Sequence, residues 1–420
     1  MEKYKEYKDS GVQWLGEIPS HWKAVLNGRI FKEDVRKALD TDISLSLSQK
    51  DGLIPTEEMQ ESSLKTSSYA NWKHVTPCDL VINRFKAHLG VMFASNYTGM
   101  VSFHYGVFKS VMPTNSKYYE YLFHTNVYKF LYSDVSNGMT VGLQNLSNTA
   151  FYKVRGLYPP IDEQCSIVTY LDTKCSQLDT LLSNKEKQIS LLQEMKQRVI
   201  ADAVTRGVNP NVKFKATNIS WLPEIPEHWK IKPIRSLLRE VTEKSETGEE
   251  ELLSLSQYTG ISYKKDAKNT GMFDAESTIG YKKVYPGQFV MNIMLAWNGS
   301  YAVSGLQGII SPAYCVFDFV SDCDKLYYHY LLRLGIYSGA FKTASRGIID
   351  SRLRLYPNRF YPFPIICPPI DEQKAIVSYI TERTSKIDTL IEKLTKEIEC
   401  VKEYKQRLIS DVVTGQVKVC

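Results

Sequence analysis

The 420-residue chain has no apolar run long enough to cross a bilayer. Its polar opening, Met1-Glu2-Lys3-Tyr4-Lys5-Glu6, has no signal-peptide core, so a cytoplasmic location without membrane contact is expected. Eight scattered cysteines make no Cys-x-x-Cys pair and no Cys/His cluster with zinc-finger spacing, which leaves reduced, mostly packing thiols. There is no Gly-x-Gly-x-x-Gly, no Gly-x-x-x-x-Gly-Lys-[Ser/Thr] and no His-Glu-x-x-His, the usual signatures for dinucleotides, nucleoside triphosphates and catalytic zinc. The Asn/Asp-Pro-Pro-[Tyr/Phe] motif of amino-methyltransferases is missing too. Its nearest matches, Tyr158-Pro159-Pro160-Ile161 and Cys367-Pro368-Pro369-Ile370, lack the polar and aromatic ends. Asp371-Glu372-Gln373-Lys374 has the look of a nuclease Asp/Glu-x-Lys site, but its counterpart Asp162-Glu163-Gln164-Cys165 has no lysine, and helix capping explains both. A net charge of +6 permits nucleic-acid binding without demanding it.

What is present is said twice. Trp14-Leu15-Gly16-Glu17-Ile18-Pro19-Ser20-His21-Trp22 returns as Trp221-Leu222-Pro223-Glu224-Ile225-Pro226-Glu227-His228-Trp229. Pro159-Pro160-Ile161-Asp162-Glu163-Gln164 returns unchanged as Pro368-Pro369-Ile370-Asp371-Glu372-Gln373. A repeat this long is a duplicated domain pair, not a solenoid period, and implies an approximate two-fold axis.

Glycine and proline are absent from residues 162–206 and again from residues 371–414. In the first stretch apolar residues recur with heptad spacing at Val168, Leu171, Cys175, Leu178, Leu182, Ile189, Leu192, Val199 and Ala203, interrupted by Lys185 and Lys196. In the second they recur at Val377, Ile380, Ile387, Ile391, Leu394, Ile398, Val401, Leu408 and Val412. Asp162 and Asp371 are expected to cap these helices, with Gly207 and Gly415 ending them. Each stripe needs a partner, and an antiparallel pair satisfies both.

Between the repeats lie segments rich in short alternating runs and turn signals, with residues 118–132 as one helix candidate. The expected organisation is a lead-in segment (1–22), a strand-rich domain (23–159), a long helix (160–207), a linker with second lead-in (208–229), a second strand-rich domain (230–368), a second helix (369–415) and a tail (416–420). The fold class is α+β: a pseudo-two-fold duplication with two strand-rich domains separated by two long antiparallel coiled-coil helices. The strand-rich domains match only at a skeleton, such as Leu45-Ser46-Leu47-Ser48-Gln49 with Leu253-Ser254-Leu255-Ser256-Gln257. A duplicated scaffold with drifted surfaces suits two reading heads on a long ligand such as duplex DNA.

These motifs closely resemble those of the specificity subunit of type I restriction-modification systems, over essentially the whole chain. A shared helix end, Gln-Arg-x-Ile-x-Asp-x-Val-Thr, adds to the likeness at Gln197 to Thr205, and Gln406 to Thr414 follows the same form with Leu408 in place of the third residue. The resemblance implies two target recognition domains, each reading half of a split target in double-stranded DNA. It implies that the helices set the spacing and dock two methyltransferase subunits, with restriction subunits completing the nuclease. It implies no catalytic residue, metal or cofactor on this chain; S-adenosylmethionine, ATP and magnesium belong to the partners. A self-contained restriction methylase and a non-specific coiled-coil DNA scaffold are the alternatives.

Candidate DNA contacts follow from side-chain chemistry. Arginine pairs with guanine and asparagine with adenine in bidentate fashion, which singles out Arg84, Lys86 and His88 after one strand and Asn298 in the other copy. Gly-containing loops admit phosphates, which adds Asn137, Thr140, Arg346 and Arg352. Gln49, Lys50, Gln257 and Tyr258 follow paired strands. Asn83 and Asn292, shared by both copies, read as turn-forming scaffold residues. Trp14, Trp22, Trp221 and Trp229 read as packed residues that pin each domain to the helices, as do His21 and His228.

Overall fold

The stretches without helix breakers are the two longest helices, Ile161–Arg206 and Ile370–Val413. At 46 and 44 residues they run about 69 and 66 Å, given about 1.5 Å per residue. The computed structural model describes residues 2–49, 51–59, 71–136, 144–257, 259–266, 277–347 and 352–419. Both helices already include the isoleucine before the aspartate expected as the cap, so Asp162 and Asp371 are not the caps. The preceding prolines supply the first carbonyls: the Gln164 and Gln373 N–H groups donate to Pro160 O and Pro369 O at 3.0 Å. Asp162 and Asp371 sit in the first turns, where a carboxylate offsets the positive end of the helix dipole. At the other end, Gly415 has φ 77°, and a Cβ there would lie 2.5 Å from the Pro19 ring, so the turn off the second helix requires glycine.

The chain forms two compact units, Met1–Glu186 with Thr395–Cys420, and Lys187–Leu394. The division cuts both long helices. Each unit holds one strand-rich domain, the start of the helix that follows it and the end of the other helix. Within the first unit the helices run antiparallel: Lys405 Nζ donates to Asp179 and Lys185 Nζ to Glu397, both at 2.6 Å. Within the second, Lys196 Nζ donates to Asp388 at 2.7 Å, and Ile200, Ala203 and Val204 share a core with Ile376 and Ile380. The two lysines that break the apolar seam are therefore each matched to a carboxylate. The seam is buried at Leu171, Ala203, Ile380, Ile387, Ile398 and Val412, and half-buried at Leu182, Ile189, Ile391 and Leu394.

Each strand-rich domain is built on a four-stranded antiparallel sheet. The first has strands β1 (Phe31–Glu33), β2 (Leu80–Asn83), β3 (Met92–Ala94) and β4 (Tyr105–Ser110) in the order β1-β4-β2-β3. The second has β5 (Leu238–Val241), β6 (Phe289–Asn292), β7 (Tyr301–Val303) and β8 (Tyr314–Phe319) in the corresponding order β5-β8-β6-β7. The helix expected over 118–132 is two helices, Ser116–Phe123 and Asn126–Asp134. Thr125 breaks it: its backbone is extended, and its hydroxyl donates to Leu122 O at 2.8 Å. Among the described cysteines none is disulfide-bonded; Cys175 and Cys315 are buried, whereas Cys78, Cys165 and Cys400 are exposed rather than packed.

The repeated motifs meet at one joint per unit. Each domain is closed by its first and last strands, Lys23–Leu26 with Arg155–Tyr158 and Lys230–Pro233 with Pro364–Cys367, which bring the lead-in motif to the helix start. Trp22 and Trp229 are fully buried there. Their indole N–H groups donate to Glu163 Oε2 and Glu372 Oε2, both at 2.8 Å. The other carboxylate oxygen accepts from His21 at 2.6 Å or His228 at 2.5 Å. Gln164 and Gln373 accept from the Asn115 and Asp324 N–H groups and donate to Pro159 O and Pro368 O. Tyr118 and Tyr327, buried in the domains, donate to Val413 O and Val204 O at 2.9 Å, satisfying terminal carbonyls of the opposite helix. Trp14 and Trp221 pack edge-on against Tyr128 and Tyr337, so all four tryptophans are packing residues.

Replacing either buried tryptophan by phenylalanine keeps a ring and removes the N–H. Trp229→Phe is expected to cost roughly 1.5–3 kcal/mol, the worth of a hydrogen bond to a charged group. Trp22→Phe should cost less, because Tyr4 OH also donates to Glu163 Oε2 at 3.1 Å. Urea unfolding of the two variants checks this; equal losses would mean that Tyr4 contributes nothing.

Candidate nucleic-acid interface

The candidate contacts emerge where β2 and β6 end. Asn83 Oδ1 accepts from the Phe85 and Lys86 N–H groups at 3.1 and 3.3 Å, and Asn292 Oδ1 accepts from Met294 N at 2.9 Å. Both asparagines are buried turn-formers, the role expected of residues common to both copies. Each turn runs into one 3-10 turn, Ala87–Leu89 or Ala296–Asn298, and ends on Gly90 or Gly299.

What the two loops present differs. In the first unit Phe85, Lys86 and Leu89 are exposed, and His88 is half-buried with a buried Nδ1 that has no hydrogen-bond partner among the described residues. Gln49, exposed in the turn after Leu45–Ser48, borders the same cleft as Leu89 and Gly90, a space of about 490 Å³ also lined by Lys129 and Arg407. In the second unit Asn298 is exposed, while the Trp297 ring is half-buried, with Lys342 Nζ 5.1 Å from its centroid. Arg346 and Arg354 exchange backbone hydrogen bonds at 3.0 and 2.8 Å, and Leu355 N donates to Ile293 O at 2.9 Å. That ladder pins the segment carrying Arg346 and Arg352 to the loop after β6. It leaves both side chains exposed, and neither forms an ion pair among the described residues. Gly347 permits the ladder, since a Cβ would lie 2.5 Å from Arg352 O. Gln257 is half-buried, and its carbonyl accepts from Arg333 at 2.6 Å. Lys50, Asn137, Thr140 and Tyr258 lie outside the described residues.

Arg84 is placed differently from a free base-reading side chain. Its Nη2 donates to Glu33 Oε1 at 2.6 Å and to Asn148 Oδ1 at 2.8 Å, and its Nε is buried. Lys73 Nζ also donates to Glu33, at 2.9 Å, and Asn148 Nδ2 completes the network. Burial pushes the Glu33 carboxyl up, but Lys73, Arg84 and Asn148 more than offset this and hold it below the usual carboxylate range. The second copy keeps the framework part, Lys282 Nζ 3.6 Å from Glu240, and has Ile293 in place of Arg84. Arg84 therefore braces the loop from beneath in this state.

The exposed rings of Phe85, Phe103 and His104 were not among the candidates. The signal available in the sequence was the lack of any acidic residue from 80 to 119. Among the described residues no group of three His, Cys, Asp or Glu side chains is placed to hold a metal ion.

No family model matches the chain. Over 296 residues, 66% of its length, it is 27% identical to the type I restriction enzyme MjaVIII specificity subunit of Methanocaldococcus jannaschii. Over 320 residues, 70% of its length, it is 24% identical to the putative type I restriction enzyme MjaX specificity subunit of the same organism. The chain spans 65% of the length of each of these curated relatives. Its fold is similar, with a TM-score of 0.68 and 13% identity, to a chain solved in work on complex assembly and conformational transition of the type I R-M system, covering 95% of this chain and 99% of that one. It is also similar to the HsdS subunit from Thermoanaerobacter tengcongensis, with a TM-score of 0.52 and 13% identity over 95% of this chain and 98% of that one. At such identity these likenesses concern the fold, the α+β architecture with two long helices.

The two arginines separate by experiment. Arg84→Ile, the residue of the other copy, is expected to destabilise the first unit by roughly 1.5–3 kcal/mol while leaving base preference intact. Arg346→Ala is expected to weaken all duplex sequences about equally and to lower the salt slope by about 0.9. Unfolding curves and binding to single-base variants at several salt concentrations check both. A relaxed preference at one base pair in Arg84→Ile would return that side chain to base reading.

Proposed function

We propose that this chain is the specificity subunit of a type I restriction-modification assembly, reading a bipartite target in double-stranded DNA with one strand-rich domain per half. The observation that carries this reading is the contrast between joint and loops. The carboxylate–indole joint recurs atom for atom, while the surfaces after β2 and β6 present different chemistry. A ligand with two different halves accounts for a duplicated framework with divergent faces. The similarity to two specificity subunits supports the same reading. Lys86, Gln49, Asn298, Arg346 and Arg352 are the proposed described contacts; Lys50, Asn137, Thr140 and Tyr258 are proposed on sequence alone.

The chain contributes recognition, and catalysis belongs to partners. Two methyltransferase subunits would dock on it and hold S-adenosylmethionine; restriction subunits would bring ATP and magnesium. Among the described residues no helix is long and apolar enough to cross a membrane, and the assembly is proposed to act in the cytoplasm, where its DNA is.

The reading makes the domains modular. Exchanging residues 23–155 for the same segment of a relative is expected to change one half of the methylated target and leave the other. Mapping methylated bases in cells checks it, and a change in both halves or neither defeats the reading.

The long helices are proposed to set the spacer. Four residues inserted after Lys187 and four after Leu394 lengthen each helix by roughly 6 Å. At about 3.4 Å per base pair, a spacer one or two pairs longer is expected, with the half-targets unchanged. An unchanged spacer in a stable, active complex would rule this out.

A further inference from the structure

Two corresponding stretches of the chain carry no carboxylate. Residues 80–119 contain no Asp or Glu, and neither do residues 277–317. These stretches carry β2 to β4 and nearly all of β6 to β8. A stretch without carboxylates in the same place twice suits an anionic ligand, because each carboxylate near a phosphate opposes binding.

In the first unit this stretch exposes three neighbouring rings. Phe103 and His104 have ring centroids 3.9 Å apart at an interplanar angle of 37°, and His104 lies 5.8 Å from Phe85. Phe85 is 44% exposed, Phe103 is 49% exposed, and His104 is exposed beside them. The rings come from two loops, after β2 and before β4, so the pleat of one sheet holds the cluster together. Lone exposed apolar side chains are ordinary, whereas three contiguous rings half in water mark a contact surface. Of the cations in this stretch, Arg84, Lys109 and Lys117 are spent on Glu33, Asp34 and Glu120. Lys86, next to Phe85, forms no ion pair among the described residues. The second copy has Met294, Leu295, Pro312 and Ala313 at the corresponding positions, with no aromatic ring.

We propose that Phe85, Phe103 and His104 form an aromatic step that packs against the bases of one half-target, with Lys86 on the adjacent phosphate. This rests on the reading of the chain as a DNA-specificity subunit and names the contact by which its first domain reads. Aromatic side chains contribute by stacking on bases or by wedging into a base step, and a ring missing from the other copy serves one half-target only.

The test uses the full chain, purified with any methyltransferase partner it carries, and a pool of randomised DNA duplexes sequenced after binding. Phe103→Ala and Phe85→Ala are expected to relax one half of the enriched pattern and to weaken binding of the enriched duplex about tenfold. The other half and the salt dependence stay as in the wild type. Phe103→Tyr, which keeps the ring, retains the pattern. Lys86→Ala instead lowers the salt slope by about 0.9. 2-Aminopurine placed in the affected half is expected to brighten when the wild type binds and to stay dim with Phe103→Ala. Thermal unfolding verifies that these half-exposed truncations leave the fold intact. Unchanged enrichment in both alanine variants overturns the proposal while leaving the DNA reading standing, as does unchanged enrichment with loss of the partner on purification. A wild-type complex that enriches no sequence overturns the reading and the contact together.

Discussion

In each unit one half-buried carboxylate ties the long helix to the strand-rich domain. Glu163 and Glu372 each stand in the first turn of a long helix and accept at once from a fully buried indole and from an imidazole. A buried indole N–H left unpaired costs on the order of 1–3 kcal/mol, and the positive end of a helix dipole is the cheapest place to keep the acceptor charged. The constraint explains why the histidine, tryptophan and glutamate recur together. It also explains the neighbouring glutamine, whose amide ties the same helix start to the domain's own helix through Asn115 or Asp324. Because the joint lies at the base of the domain, the loops at the end of the sheet vary without loosening it.

Away from the joint, the framework preserves backbone requirements where residue identities differ. The Ala94 N–H is accepted by Glu120 at 2.9 Å, and the corresponding Val303 N–H by His329 Nδ1 at 3.2 Å. Burial, aided by Arg333, pushes the His329 imidazole down to about 4, which keeps it neutral and able to accept. Cys78 holds a positive φ of 71° where the other copy has Gly287 at 87°. The cysteine therefore carries a strain of roughly 1–2 kcal/mol that glycine avoids. In each case a donor or a turn had to be served, and two sequences serve it by different means.

Local rules carried the long helices well, because 3.5-residue periodicity without breakers has no competing reading over 40 residues or more. They failed where a neighbour in space decided. Asp162 had the chemistry of a cap, yet Pro160 had already supplied the carbonyl that opens the helix. Thr125 divided the helix expected over 118–132 by bonding its own turn. Arg84 had the chemistry of a guanine contact, but Glu33, far away in sequence, holds it. The aromatic step was invisible for the same reason: its rings come from loops that only the sheet brings together.

The sequence by itself determined that the chain is a duplication, where its two helices run and that its two faces differ; of the four tryptophans read as binding domain to helix, Trp22 and Trp229 bond the helix, whereas Trp14 and Trp221 pack on Tyr128 and Tyr337. Repetition and periodicity are properties of the chain read in order, and both are strong over long stretches. Tertiary structure alone decided that each compact unit joins one domain to the start of its own helix and the end of the other, and that Lys185 and Lys196 meet carboxylates. It alone sorted the cations into Arg84, spent on bracing a loop, and Lys86, Arg346 and Arg352, left exposed. A charged side chain is bound or free according to what folds against it, and no spacing along the chain records that partner.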